Sequence, residues 1–241
     1  MPRADWTEEN MSHTMCFFPL IGGVIGGLMM LLYQLMLALE HHGSNLSHFF
    51  WTTIFVLIPF LVTGGIHMDG FLDTMDAISS YQPRERRLEI LKDPHTGAFA
   101  IISCGLYLVA DLGIFSSLNG TAIKLISLGF VLSRALSGLS VLRFPQARKS
   151  GDGSVATFSK NAKKKVDQMV LLAYVILVGL LLVLTVGLSG GAVLITALAV
   201  FAYYHHMALK KFGGITGDLA GYFLQLVELF MALVAVICTA L

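Results

Sequence analysis

QMVLLAYVILVGLLLVLTVGL, from Gln168 to Leu188, is an uninterrupted apolar run without one charged side chain. A hydrocarbon core about 30 Å thick is crossed by roughly 20 residues of helix, so this run is long enough to span it. Lys163, Lys164, Lys165 and Asp167 stand immediately before it and end it sharply. Six further stretches approach the same length: Met15 to Leu39, Leu46 to Gly65, Gly97 to Leu118, Ala122 to Leu142, Ala192 to Leu209 and Ala220 to Leu241. The chain of 241 residues is 56% hydrophobic and only 13% charged, whereas an ordinary soluble domain carries about a quarter charged residues. The expectation is an all-α, polytopic integral membrane protein with about seven transmembrane helices, forming a single domain over residues 1–241.

Lys and Arg favour the cytoplasmic side of a membrane, so their placement tests this reading independently of hydropathy. The connection from Ile66 to Thr96 holds Arg84, Arg86, Arg87 and Lys92. That from Arg143 to Asp167 holds Arg143, Arg148, Lys149, Lys160, Lys163, Lys164 and Lys165, and that from Lys210 to Leu219 holds Lys210 and Lys211. These three alternate with turns nearly free of basic charge, around His41 to Asn45, Asn119 to Gly120 and Ser189 to Gly191. The N-terminus is therefore expected in the cytoplasm and the C-terminus outside. Asp5, Glu8 and Glu9 precede the first apolar run, which lacks a small-residue cleavage site and is expected to remain as an anchor. Cys16, Cys104 and Cys238 each lie in an apolar stretch, at spacings of neither a metal knuckle nor a disulfide framework, and read as small buried hydrophobes.

Three polar elements fall on the expected cytoplasmic side. In Gly64-Gly65-Ile66-His67-Met68-Asp69-Gly70-Phe71-Leu72-Asp73-Thr74-Met75-Asp76, three carboxylates recur at i, i+4 and i+7. On a helix they fall within about 60° of one another, a self-repelling stripe unless a cation binds it. Oxygen-only ligands suit Mg2+ or Mn2+. Glu89 and Asp93 form a second acidic pair at i, i+4, with Arg86, Arg87 and Lys92 beside them for ion pairing or phosphate binding. The third element, Lys210-Lys211-Phe212-Gly213-Gly214-Ile215-Thr216-Gly217-Asp218, is a Gly-rich turn opening into the last span. Such a turn lets backbone amides approach an anion at a helix start.

Beyond Asp218, the positions Gly221, Gln225 and Glu228 share one helix face, and Glu228 lies about 15 Å into the span. A carboxylate at that depth must face the bundle interior, and Arg134 in the fourth span is its natural counter-charge. The Lys163-Lys164-Lys165 run reads as a topology anchor against anionic lipid, with Arg143 and Arg148 the better phosphate candidates. His41, His42 and His48 read as residues of the opposite interface, and His205 with His206 as a span end.

These residues resemble the cobalamin synthase family, also called adenosylcobinamide-GDP ribazoletransferase. The resemblance rests on Phe18-Pro19-Leu20-Ile21-Gly22; on Gly64 to Gly70 with Asp73 and Asp76; on Arg87 to Asp93 with Gly97 and Phe99; on Leu132-Ser133-Arg134; and on Gly213 to Asp218. Departures are Ala77 where the family usually has Gly, Pro145-Gln146-Ala147-Arg148 where it has Pro-Tyr-Ala-Arg, and Gln225 in place of a second glutamate. The resemblance implies that a ribose hydroxyl of alpha-ribazole, or of its 5'-phosphate, attacks the corrinoid-bearing phosphorus of adenosylcobinamide-GDP and displaces GMP with the help of Mg2+. It implies metal roles for Asp69, Asp73, Asp76 and Asp218, with Glu228 added to that set. Glu89 and Asp93 would serve metal or hydroxyl activation, with Lys92 beside them as the catalytic cation. Substrate or phosphate contacts would fall to His67, Arg134, Arg148, Gly213, Gly214 and Thr216.

The active site would then form from segments 64–97, 143–165 and 210–228, in a multi-pass protein of the bacterial or archaeal cytoplasmic (inner) membrane. The expected partners are the two substrates and the lipid bilayer, with no nucleic acid; a homo-oligomer is compatible with the sequence. Two other readings compete with this one. A CDP-alcohol phosphotransferase also carries an acidic stripe at the membrane surface, but its pattern would continue into Ala-Arg and two further aspartates where Ala77-Ile78-Ser79-Ser80 stand. A cation or solute transporter would show internal repeats and midplane acids, whereas no half of this chain resembles the other.

Overall fold

The computed structural model describes residues 13–147 and 164–240, and they are helical throughout apart from turns and one parallel bridge between Gln146 and Ile215. The helices are α1 Thr14–His41, α2 His48–Thr63, α3 Ile66–Ser79, α4 Arg84–Ile90, α5 Ala98–Phe115, α6 Gly120–Arg143, α7 Lys164–Val186, α8 Leu188–Phe212 and α9 Gly217–Ala240. Six of them, α1 and α5 to α9, are long and apolar enough to cross a membrane, and the bent pair α2 and α3 makes a seventh if counted as one span. These helices expose large apolar side chains such as Leu61, Leu106, Leu184 and Ile195.

Helix α6 is the axis of the bundle. Of its most apolar stretch 89% is buried, far above any other span. Small residues make this enclosure workable, because in lipid helices associate through close van der Waals packing rather than through the hydrophobic effect. Gly22 and Gly26 of α1 face it four residues apart: a Cβ on Gly22 would sit 2.1 Å from the Phe130 carbonyl oxygen, and one on Gly26 2.6 Å from that of Ser127. The Ser127 hydroxyl donates to the Gly26 carbonyl at 3.1 Å across the same seam.

Two boundaries differ from the sequence reading. The stretch Leu46 to Gly65 yields only the 16 residues of α2, after which the chain turns by 92° into α3. Gly64 and Gly65, with φ of +63° and +76°, supply that turn, since successive left-handed residues are cheap only for glycine. The connection expected at Ser189 to Gly191 is instead the single residue Gly187, with φ +61°, and α8 begins at once. Hydropathy averages over a window and cannot resolve a one-residue break.

All three polar elements lie at one end of the bundle. The opposite end is closed by Asn119 Nδ2 donating to Thr239 Oγ1 at 2.9 Å and by Ser189 Oγ donating to the Cys238 carbonyl at 3.1 Å. Cys16 corrects the reading of the thiols as plain hydrophobes: its Sγ–H donates to Asp167 Oδ1 at 3.0 Å.

Candidate functional site

Helix α3 runs across the motif end of the bundle and packs on α9 backbone to backbone. A Cβ on Gly70 would meet the Asp218 carbonyl oxygen at 2.7 Å and its Cα at 2.8 Å, and one on Gly221 would meet the His67 carbonyl at 2.9 Å. This contact sets the site, because it lays Asp69 and Asp73 of α3 alongside Asp218 at the start of α9. Burial, then the neighbouring charges of Asp69, Asp218 and Asp76, push the Asp73 carboxyl up to about 6. Four acids therefore share one field, as the i, i+4, i+7 spacing suggested. The donor set is all oxygen and part exposed, with no ion-pair partner for Asp73 among the described residues, which is the chemistry a hard divalent cation takes, although no three of these carboxylates bring their oxygens within 4.8 Å of one another.

Asp76 is differently employed from its neighbours. Its Oδ2 accepts from the Gly97 amide at 2.6 Å and its Oδ1 from the Ala100 amide at 2.8 Å. It thus caps the start of α5 from another helix, satisfying amides that have no partner within α5. The cap fixes the Lys92 to Gly97 loop against α3.

The second acidic pair does not share a helix face. Helix α4 stops at Ile90, so Asp93 lies in the turn beyond it. The helix ends one residue after Glu89, before the i, i+4 partner is reached, and Pro94 disfavours its continuation. Glu89 instead pairs with Arg86 at 2.7 Å, exposed to solvent. Asp93 Oδ1 accepts from the His95 amide at 3.0 Å and contacts His95 Nδ1 at 2.7 Å. Those bonds hold the Asp93 carboxyl below its ordinary range. Lys92 is exposed beside them.

The Gly-rich turn is structural through its own amides. Gly213 N–H donates to the Leu209 carbonyl at 3.0 Å, Gly214 N–H to Ala208 at 3.2 Å and Ile215 N–H to Pro145 at 2.8 Å. The first two terminate α8 and the third joins the turn to the end of α6. Arg84 lies against Gly213 and donates to the Ala147 carbonyl at 3.4 Å, while Arg87 donates to Lys211 O at 3.5 Å. Thr216 Oγ1 accepts from Leu219 N–H at 3.3 Å and bonds Asp218 Oδ2 at the same distance, so it orients that carboxylate. Anion binding by the Gly213 and Gly214 amides, expected from sequence, is thus corrected to a scaffold that aims Thr216 and Asp218.

Arg134 and Glu228 meet, deep in the bundle. The Arg134 side chain is 1% exposed and that of Glu228 8%, and Arg134 Nη1 donates to Glu228 Oε1. Ser133 Oγ donates to the same oxygen at 2.8 Å, and the guanidinium lies 5.4 Å from the Phe130 ring centroid. About three turns of α9 separate Glu228 from Asp218, so Glu228 stands apart from the acids of α3. His67 of α3 packs edge-on against Phe18 of α1, with ring centroids 6.2 Å apart. Burial, then the charge of Arg134, lower its pKa to about 4, so at neutral pH it offers hydrogen bonds rather than charge. Arg148 and most of the basic loop lie outside the described residues.

Sequence reasoning passed over Asp111 and His95. Asp111 is buried in α5 and lines an internal cavity with Tyr107, Phe130, Gln225 and Glu228. The available signal was a carboxylate inside an otherwise apolar run, which marks a functional or structural partner by its cost alone.

The family model described as cobalamin-5-phosphate synthase matches residues 1–236. A protein of Lachnoclostridium phytofermentans named adenosylcobinamide-GDP ribazoletransferase is 47% identical over 239 residues, covering 98% of this chain and 88% of the relative. Proteins of the same name from Clostridium perfringens strain 13 and Desulfitobacterium hafniense are 33% and 30% identical, over 94% of this chain in each case and 88% and 87% of the relatives. No solved structure gives a significant match.

Proposed function

Since the chain belongs to the cobalamin-5-phosphate synthase family and is thus a transferase of cobalamin biosynthesis, we propose that it moves the adenosylcobinamide-phosphate moiety of adenosylcobinamide-GDP onto alpha-ribazole or its 5'-phosphate, releasing GMP. The observation that carries this reading is that Asp69, Asp73 and Asp218 lie in one shared field at the motif end, where α3 packs on the start of α9. Such a transfer asks for positioning and for neutralisation of a diphosphate more than for covalent chemistry. Asp69, Asp73 and Asp218 would hold Mg2+, which supplies positive charge to the diphosphate and the departing GMP.

The remaining steps fall to side chains. Thr216 keeps Asp218 oriented, and Asp76 keeps the Lys92 to Gly97 loop against α3. Lys92, exposed on that loop, takes a phosphate oxygen. A carboxylate held low by hydrogen bonds is a weak base, so His95, with Asp93 at 2.7 Å, is the better acceptor of the hydroxyl proton than Asp93 itself. Purified protein incubated with adenosylcobinamide-GDP, alpha-ribazole and Mg2+ should release GMP in step with corrinoid product; no release with either acceptor would overturn the assignment.

Two further outcomes follow from the same geometry. Gly70→Ala drives a methyl into the Asp218 backbone, which cannot move aside as a flexible side chain could. The variant should lose about 1–3 kcal/mol of stability and, because Asp69 and Asp73 shift against Asp218, on the order of a hundredfold in turnover. Thermal unfolding in detergent and GMP release measure the two losses. From the charge alternation along the sequence we expect the motif end to face the cytoplasm, so a reporter fused after Leu241 should be active only outside it; cytoplasmic activity would reverse the topology.

A further inference from the structure

His13, Cys16 and Asp167 come together although more than 150 positions separate the first two from the third. His13 Nδ1 lies 3.1 Å and Cys16 Sγ 3.0 Å from Asp167 Oδ1, and one donor atom from each residue falls within 4.8 Å of the others. Asp167 is fully buried, and its Oδ2 has no hydrogen-bond partner among the described residues. A buried carboxylate oxygen without a donor is costly, and both neighbours crowd the other oxygen instead. We propose that this trio is a second metal site, of the Zn2+ class, binding the start of α1 to the start of α7.

The chemistry of the donors selects the ion. A thiolate, an imidazole and a carboxylate are the mixed soft and borderline set that Zn2+ accepts, and Mg2+ does not take thiolates. A tetrahedral Zn2+ with N and O at about 2.0–2.1 Å and S at about 2.3 Å spaces its donors roughly 3.3–3.7 Å apart, so tenths of an ångström to about 1 Å of side-chain movement suffices. Charge also balances. Binding releases the Cys16 thiol proton to solvent, and one Zn2+, one thiolate, one carboxylate and one neutral imidazole sum to zero, which suits a buried position. Water completes the fourth position. The site lies two residues before Phe18, whose ring packs on His67, so a bound ion would stiffen the wall of the active site.

The test uses the full-length protein in detergent, stripped of metal and loaded with Co2+ as a spectroscopic stand-in. Wild type should take up one Co2+ with an intense thiolate-to-cobalt absorption, which the acids of the Mg2+ site cannot produce, since no cysteine stands among them. Cys16→Ala and Cys16→Ser should lose that band while Cys104→Ala and Cys238→Ala keep it. Asp167→Asn should weaken Zn2+ affinity, read by competition, at least tenfold. Added Zn2+ should raise the unfolding temperature of wild type but not of Cys16→Ser, a variant that keeps a hydroxyl donor to Asp167. Absence of the band in wild type, or its survival in Cys16→Ala, would show that the trio is only hydrogen-bonded.

Discussion

Asp73→Asn should leave a well-folded protein that releases GMP from adenosylcobinamide-GDP on the order of 100 to 1,000 times more slowly than wild type, the loss expected when one preorganised electrostatic contact to a developing charge is removed. Asp73 is the most informative of the four acids because it sits among the other three, which with burial push its carboxyl up to about 6. The sign of the stability effect is fixed by that shift. A carboxylate whose folded pKa exceeds its unfolded one binds its proton more tightly when folded, so its ionisation costs stability as pH rises through the interval up to about 6. The amide removes that cost. The metal-free variant should therefore be no less stable than wild type at neutral pH, and more stable if anything, while being inactive. Asp218→Asn combined with Asp73→Asn should add little to the defect of either, since ligands of one site fail together. The measurement is single-turnover GMP release across a Mg2+ titration. Wild-type rates in Asp73→Asn at every Mg2+ concentration would return the stripe to a solvated helix face.

Local spacing carried the acidic stripe and hydropathy carried the bundle, because both are properties of contiguous residues on a regular helix. What sequence could not carry is decided by partners far away in the chain. Asp76 has the same spacing as Asp69 and Asp73, yet it faces the start of α5 and becomes a cap. Gly213 and Gly214 have the composition of an anion cradle, yet the end of α8 claims both amides. Glu89 and Asp93 keep helical spacing on paper, but α4 ends between them. Asp111 vanished into the mean hydropathy of its span, and its neighbours Gln225 and Glu228 lie more than a hundred residues later. Arg134 and Glu228 were legible as a pair for the opposite reason: each is so expensive alone in a membrane that the other is nearly compulsory.

That pair supplies the other large effect. Arg134→Met leaves a carboxylate that is 8% exposed with Ser133 as its remaining donor, and Glu228→Met leaves a guanidinium that is 1% exposed facing a methyl thioether. Removing one partner of a buried ion pair costs about 3–5 kcal/mol, mostly the desolvation of the charge left behind. Each single variant should therefore give much less folded protein in detergent and unfold at a markedly lower temperature. The double variant has no stranded charge, and two methionines can fill the space flexibly. It should recover most of the stability, because replacing both ions by apolar groups is often neutral or better. A double-mutant cycle on unfolding free energy should then give a coupling of about 5 kcal/mol or more, because two losses of about 3–5 kcal/mol nearly vanish in the double variant, well beyond the few tenths found for independent sites. Additive losses would mean that the two charges are solvated separately. Near-wild-type stability in Arg134→Met alone would mean that the guanidinium serves the substrate phosphate rather than the bundle.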